Sequence, residues 1–348
     1  MRGIVRLTAV LAGVVMLVAC GGTSVPSSTA TPVGTPVTLN VGTSGVIDVA
    51  PLFLGMRKGF FAKQKITVTP HVLQTGSVTV AGVVAGDLQF GFSNVTSIVI
   101  AASRHLPLRI VAAGDQASGG DFSAVFVRGD SSITSARDLV GKKVAVNGLK
   151  NIGSLCVNAA LQASHVDYES IEYVEVPFPQ MSAALAQGTV DAAWTVEPWS
   201  TVLKSNGSNR IVLRPFTQMA RYFPIADYFT TTQYARANPG VVSRFKTAIN
   251  ESLVYAQSHP AEARAVLSSY IKLAPGLADQ VLVPYWKTDL EPKLIQKTAD
   301  LAVEYGVTGP PESYFVDAAG IVRAKQFGPL TLAAMDQRFA ALLARAER

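Results

Sequence analysis

Short apolar blocks recur along this chain at two different periods. Residues 37–42 read Val37-Thr38-Leu39-Asn40-Val41-Gly42, the strict alternation of a half-buried strand. Residues 48–61 then place Val49, Leu52, Phe53, Met56 and Phe60 on one helical face, which ends in the region of Gly59. The same reading predicts further strands at 66–69, 88–92, 108–113, 123–127, 143–147, 171–176, 190–196 and 210–213. Helices are predicted at 78–85, 152–164, 181–187 and 199–204. From Pro239 onward the period is helical almost throughout, over 241–259, 261–271 and 292–305. Strands that alternate with helices predict an α/β protein with largely parallel sheets, here followed by a helical C-terminal region.

One internal echo is visible. Val80-Ala81-Gly82-Val83-Val84-Ala85-Gly86-Asp87-Leu88-Gln89-Phe90-Gly91-Phe92 is a short helix, a Gly turn and an apolar strand. Ser182-Ala183-Ala184-Leu185-Ala186-Gln187-Gly188-Thr189-Val190-Asp191-Ala192-Ala193-Trp194 has the same form. Gly86 and Gly188 stand at the two helix ends, where a positive φ costs glycine little. Two such units predict two lobes of similar design; chance repetition of a common βα unit is the alternative.

Composition and charge narrow the function. The chain has 348 residues, 49% of them hydrophobic and 16% charged, which suits about two ordinary domains and excludes a disordered tail. The net charge of +6 is spread out, and no run of Lys or Arg appears, so a nucleic-acid partner is not expected. Two Cys cannot form a disulfide scaffold or a four-Cys zinc site, and no cofactor or metal is expected. Cys156 lies in an apolar helical stretch and is expected to be a core residue rather than a nucleophile.

The amino end has its own logic. Arg2 and Arg6 precede an apolar run over residues 7–19, too short to span a bilayer. It ends in Leu17-Val18-Ala19-Cys20-Gly21, which resembles the lipobox of bacterial lipoproteins. Residues 1–19 are then a signal peptide, and Cys20 is acylated, with chains such as palmitate, as the first mature residue. An ordinary secretory signal is the alternative. Thr23 to Pro36 carries no charge and is rich in Ser, Thr, Pro and Gly, so 20–36 is expected to be a flexible tether. The protein is thus placed at the cell membrane, lipid-anchored on the extracytoplasmic face.

Four pieces carry a resemblance to a known family. They are the segment Ala50-Pro51-Leu52-Phe53-Leu54-Gly55-Met56-Arg57-Lys58-Gly59-Phe60-Phe61, the segment Gly86-Asp87-Leu88-Gln89-Phe90-Gly91, the segment Asp138-Leu139-Val140-Gly141-Lys142-Lys143-Val144-Ala145-Val146, and Gly188-Thr189-Val190-Asp191-Ala192-Ala193-Trp194-Thr195-Val196-Glu197-Pro198-Trp199. In this order they resemble substrate-binding proteins of ABC importers of the nitrate, sulfonate and taurine type, which includes binders of thiamine-pyrimidine precursors. The resemblance implies a two-lobed periplasmic-binding-protein fold of type II, with two crossovers. Lobe 1 would comprise 37–127 and 228–348, and lobe 2 would comprise 128–227. It also implies a small-molecule ligand, an ABC permease with its ATPase as partners, and a monomeric protein.

Candidate site residues sit at turns between strands and helices. Thr43, Ser44 and Gly45 follow the first strand. Thr75, Gly76 and Ser77 precede the next short helix, and Ser93 and Asn94 end a strand. Their hydroxyls and amides suit a ligand at a helix N-terminus, or simply cap the helix. The resemblance puts ligand contacts at these three turns. Gly148-Leu149-Lys150-Asn151-Ile152-Gly153-Ser154 is similar to a P-loop but lacks the Lys after its second Gly, so it should not bind a nucleoside triphosphate. Asn151, Gly153 and Ser154 remain candidate contacts, and Lys150 is the nearest cation to them. Glu197 reads as an acceptor for a ligand or as a helix cap, and Trp194 as core or cleft wall. Tyr222, Phe223 and Asp227 lie near the expected second crossover.

An enzyme finds little support. His71, His105, His165 and His259 are far apart, and neither H-E-x-x-H nor G-x-S-x-G occurs. Some relatives make the thiamine pyrimidine with a Cys-rich iron-binding motif, which this chain lacks. The expected function is capture of a small polar organic molecule or anion (sulfonate, nitrate, carboxylate or pyrimidine type) for an ABC importer. A lipid-anchored sensor or adhesin domain is the second reading, and a pyrimidine-precursor synthesis enzyme the third.

Overall fold

The computed structural model of the protein describes residues 34–219, 223–307, 312–316 and 322–327. The expected signal peptide, Cys20, most of the tether and Tyr222 lie outside the described residues. The strands are β1 (Val37–Ser44), β2 (Ile66–Leu73), β3 (Phe90–Asn94), β4 (Leu108–Gln116), β5 (Ser123–Arg128), β6 (Lys143–Val146) and β7 (Glu172–Glu175). They continue with β8 (Ala192–Val196), β9 (Asn209–Leu213), β10 (Pro224–Thr231), β11 (Tyr285–Trp286), β12 (Glu312–Val316) and β13 (Val322–Phe327).

Two mixed sheets form two lobes. The first has the order β11-β4-β10-β3-β1-β2 and the second β7-β6-β8-β5-β9. Five strands of the first match the second one for one. In each, a central strand pairs in parallel with two neighbours (β1 with β2 and β3; β6 with β7 and β8). In each, one strand that arrives from the other sheet runs antiparallel between two others: β10 between β3 and β4, and β5 between β8 and β9. The echo in the sequence falls on equivalent positions, because it leads into β3 in one sheet and β8 in the other. Gly86 and Gly188 take φ of 87° and 69° there. The expectation of largely parallel sheets is corrected: among the described residues the four parallel pairings (β1–β2, β1–β3, β6–β7 and β6–β8) are outnumbered by the antiparallel ones that the inserted strands β5 and β10, the edge strand β11 and the pair β12–β13 make.

The passages between lobes are short. The chain leaves the first sheet after Gln116 and enters the second at Ser123, ahead of the expected Val127. It returns between Leu213 and Pro224, so Asp227 lies inside β10 rather than at the passage. The boundary differs from expectation because Ser123–Val127 opens the second lobe rather than closing the first.

Packing explains the elements. In β1, Leu39 and Val41 are fully buried while Thr38 is exposed, as the alternation requires. β8 and β10 are central strands covered on both faces, and read as nearly continuous buried runs. The helix Ala50–Lys58 has Pro51 in its first turn, Arg57 and Lys58 in its last, and stops at Gly59, whose φ is 80°. It crosses the helix Pro239–Ser258 at Gly55, where a Cβ would lie 1.9 Å from Ser252 Oγ. Cys156 is fully buried, and burial pushes its thiol pKa up, which keeps it protonated and unreactive. The C-terminal part is helical over Pro239–Ser258, Pro260–Ala265 and Pro292–Glu304. It also supplies β11 and the antiparallel hairpin β12–β13, which the helical period did not anticipate.

Candidate ligand-binding cleft

A cavity with about 440 Å³ of empty space, part of it open to solvent, lies between the lobes. Its first wall holds Ser44 at the end of β1, Val46, Asp48, Gly76, Asn94 at the end of β3, and Ile225 and Ala226 of β10. Its second wall holds Asn147 just after β6, Ile152, Phe178, Trp194 and Val196 of β8, and Phe216. The parallel strands of both sheets therefore point their carboxyl ends at one space, which is where open α/β sheets take ligands. The wall is mostly aliphatic and aromatic with a few polar groups, the usual make-up of a small-molecule site.

Four of the expected site residues line this cavity: Ser44, Gly76, Asn94 and Trp194. Trp194 is held by a hydrogen bond from Nε1 to Ser123 Oγ (2.9 Å) and by Gly153, where a Cβ would sit 2.7 Å from the indole. Gly153 thus shapes the wall from behind. Gly76 lets β3 approach, since a Cβ there would lie 2.3 Å from Ser93 Oγ and 2.6 Å from Asn94 Nδ2.

The other expected residues are occupied with the protein itself. Thr43 is fully buried and its Oγ1 donates to the His71 carbonyl (3.2 Å). The Gly45 carbonyl accepts from Trp199 Nε1 (2.8 Å) across the lobes. Thr75 Oγ1 caps its helix by accepting from Val78 N (3.2 Å), and Ser93 Oγ donates to the Asn94 carbonyl (3.3 Å). Ser154 Oγ accepts from Asn151 N (3.1 Å) in a reciprocal helix cap. Asn151 reaches across the cleft: its Oδ1 accepts from Ser97 Oγ (3.0 Å), and its Nδ2 donates to Ser77 Oγ (3.1 Å). Asn94 Oδ1 accepts from Ser97 N (2.8 Å), so Ser97 joins both candidate asparagines. Lys150 is exposed and does not line the cavity.

Glu197 is a cap and a tie. Its carboxylate accepts from Thr201 Oγ1 (2.9 Å), Thr201 N (3.2 Å) and Leu282 N (3.4 Å), and its backbone carbonyl accepts from Ile47 N (3.2 Å). Burial pushes its pKa up to about 7. Phe223 packs against Phe216, with ring centroids 5.8 Å apart. Asp227 faces β4, where Oδ1 accepts from Gly114 N (3.2 Å). Its Oδ2 has no hydrogen-bond partner, and burial pushes its pKa up to about 7.

The sequence reading missed Asp48, Asn147, Phe178 and Phe216. Asp48 sits four residues past the end of β1 and Asn147 directly after β6, beside the expected residues, and only the fold shows which of these neighbours face inward. Asp48 is 3% exposed, and burial is also what raises its pKa. Its neighbour Asp115, at the end of β4, is raised well above the usual carboxylate range by burial and by the Asp48 and Asp227 charges.

Comparison with known proteins agrees with this geometry. Residues 46–263 match the family model described as NMT1/THI5 like. The taurine-binding periplasmic protein of Escherichia coli (strain K12) is 25% identical over 221 residues, which cover 62% of this chain and 67% of that protein. The riboflavin-binding protein RibY of Chloroflexus aurantiacus is 24% identical over 324 residues, 88% of this chain and 87% of that one. Among solved structures, the alkanesulfonate-binding protein SsuA from Xanthomonas axonopodis pv. citri, bound to MOPS, superposes with a TM-score of 0.67 at 18% identity, covering 83% of this chain and 97% of that one.

Proposed function

The chain belongs to the NMT1/THI5-like family, and from that premise we propose that it is an extracytoplasmic solute-binding protein that captures a small organic molecule and hands it to an ABC importer. The observation that carries this reading is the cavity walled by both lobes at the carboxyl ends of their strands. A ligand there touches both lobes only when they are together, so binding energy favours the closed form. The described passages 117–122 and 214–219 belong to the hinge in this reading. The relatives reported above are binding proteins, which leaves the enzyme alternative without support.

The membrane side of the proposal rests on the amino end. No helix among the described residues is long and apolar enough to cross a membrane. The segment Leu17-Val18-Ala19-Cys20-Gly21 supplies the anchor, with acylated Cys20 holding a monomeric protein on the extracytoplasmic face beside its permease and ATPase. Cys20→Ser is expected to move the protein from membranes to the soluble fraction, or to leave the precursor uncleaved, in a fractionation experiment. A mutant that processes and fractionates like the parent excludes the anchor.

The transport reading is tested by native mass spectrometry and solution scattering together. The purified protein is expected to bind one solute molecule per chain, to return it chemically unchanged, and to become more compact when loaded. Conversion of the solute, or binding with no compaction, overturns the reading.

A further inference from the structure

The fold gathers cations that the sequence scatters. Residues 50–65 and 239–250 hold six of them, Arg57, Lys58, Lys63, Lys65, Arg244 and Lys246, and no Asp or Glu. Lobe 2, over residues 123–213, carries seven Lys or Arg against eight Asp or Glu. The two cationic stretches are neighbours in space. The chain from Lys58 to Lys65 runs alongside the helix Pro239–Ser258, against its direction. Lys58 Nζ lies over the Tyr255 ring (4.8 Å to the centroid), Lys63 Nζ pairs with Glu251 (2.7 Å), and the Gln64 carbonyl accepts from Arg244 Nη1 (2.8 Å). From Tyr255 back to Arg244 the helix rises about 16 Å, which is the length of the row. Arg244 is half-buried and the other five cations are exposed. Lys58 also pairs with Glu262 (2.7 Å), so two acids meet six cations and the face keeps an excess of four positive charges.

Two observations say what this face meets. The first is where the tether joins the fold. Gly34 lies against Arg244, where a Cβ would be 3.4 Å from the guanidinium carbon. Val37 N then donates to the Lys65 carbonyl (3.0 Å) as β1 begins. The stretch from Cys20 to Gly34 spans at most about 50 Å. Residues 21–47 carry no charge, so they neither add to the face nor offset it. The second observation is orientation. β1 starts at this face and ends at Ser44 on the cleft wall, about 26 Å away at the rise of a strand. The cleft therefore lies at the opposite pole of lobe 1.

We propose that this face is a membrane-contact surface, on which Lys58, Lys63, Lys65 and Arg244, with Arg57 and Lys246 beside them, meet the anionic headgroups of the bilayer that holds acylated Cys20. It rests on the anchor reading above, which brings the face within reach of lipid. Each Lys or Arg close to an anionic bilayer adds attraction, and that attraction fades within a Debye length of about 8–10 Å. A protein held only by a tether samples every orientation, whereas this face selects one. Lobe 1 then sits on the bilayer by the pole opposite the cleft. The cleft stays in solution and collects solute until the protein turns to its permease.

The test uses the mature chain with Cys20→Ser, so that no acyl group contributes, and vesicles of phosphatidylcholine with or without phosphatidylglycerol. Flotation is expected to recover the protein with the phosphatidylglycerol vesicles alone, and to lose it in about 1 M salt, where the Debye length is about 3 Å. Lys63→Gln with Lys65→Gln is expected to weaken this binding roughly 25-fold, about fivefold for each cation removed. Glu251→Gln is expected to strengthen it roughly fivefold, a gain that a misfolded chain does not give. Lys142→Gln with Lys143→Gln, on the balanced lobe 2, is expected to change nothing. No recovery with phosphatidylglycerol, equal recovery with both vesicles, binding that survives the salt, equal losses in the two double variants, or no gain in Glu251→Gln overturns the proposal. Because the tested chain carries no lipid, these results bear on the face alone, and the fractionation of Cys20→Ser in cells decides the anchor separately.

Discussion

Asp227→Asn is expected to stabilise the protein at pH 8 and to lose that advantage near pH 5. Asp227 is buried in β10 with one oxygen on Gly114 N and the other unpartnered. Burial raises its pKa from 3.8 to about 7. The sign follows from linkage: a carboxyl raised in the folded state favours folding below its unfolded pKa, and that contribution is lost as pH rises through the folded value. Between pH 5 and pH 8 the parent should therefore lose about 2–3 kcal/mol at this one group. Asn keeps the Oδ1 acceptor for Gly114 and carries no charge. Its buried amide costs roughly 1–2 kcal/mol if it finds no acceptor, which leaves a net gain of about 2 kcal/mol at pH 8 and little at pH 5. Urea denaturation at the two pH values measures this. An equal gain at both would show that Asp227 does not titrate as its burial implies. Glu197 acts with the same sign, since its pKa is also raised to about 7 by burial. The parent should therefore be more stable at pH 5.5 than at pH 8.

These buried acids were not legible in the sequence, and the reason is physical. An Asp in a strand reads as a surface residue because charged groups are rarely fully buried. In the sequence Asp48 reads as the start of a helical stripe and Asp227 as lying near a crossover. Only pairing of β4 with β10 brings Asp115 and Asp227 together under Asp48. The alternation of apolar blocks, by contrast, located β1 to β9 within a few residues, because burial on one or both faces of a sheet writes a period into the chain, whereas β10 (Pro224–Thr231) was not expected as a strand. The two-lobe design was legible too, since Gly86 and Gly188 punctuate the same helix–turn–strand unit in each sheet.

The site was legible as a set of turns and not as a set of contacts. Most of the expected residues lie at turns between strands and helices, while Trp194 is in the middle of β8 and Gly153 and Ser154 are in the first turn of a helix; only Ser44, Gly76, Asn94 and Trp194 line the cavity. Thr75, Asn151 and Ser154 serve as helix caps, as their residue types equally allowed. A hydroxyl or amide at a helix start satisfies the same orphan N–H groups whether or not a ligand is near, so the choice is made by where the second lobe falls. Phe178 and Phe216 were invisible for a related reason: an aromatic residue in a short helix reads as core until the space it faces is known.

Asn151→Ala is expected to open the protein rather than to remove a ligand contact. The side chain caps its own helix, with Oδ1 accepting from Ile152 N (2.8 Å), and it is the residue through which that helix meets Ser77 and Ser97 of the other lobe. Loss of the cap costs about 1 kcal/mol, and the two cross-lobe hydrogen bonds contribute roughly 1 kcal/mol each. Asn151 and Ser97 are each 3% exposed, so Ser97 loses a buried partner and gains solvent only if the lobes separate, whereas Ser77 is already exposed. The cap belongs to folding, whereas the bridge belongs to closure, and two measurements divide them. Thermal unfolding should show the smaller loss. Scattering of the unloaded variant should show a larger radius than the parent, and affinity for any cleft ligand should fall by about tenfold or more, since about 2 kcal/mol of closure is withdrawn. Asn94→Ala provides the contrast: Asn94 caps Ser97 N within its own lobe and lines the cavity, so it should weaken binding without changing the unloaded radius. If the two variants expand alike, or if Asn151→Ala leaves the radius unchanged, the bridge does not hold the lobes together and closure must be driven by the ligand alone.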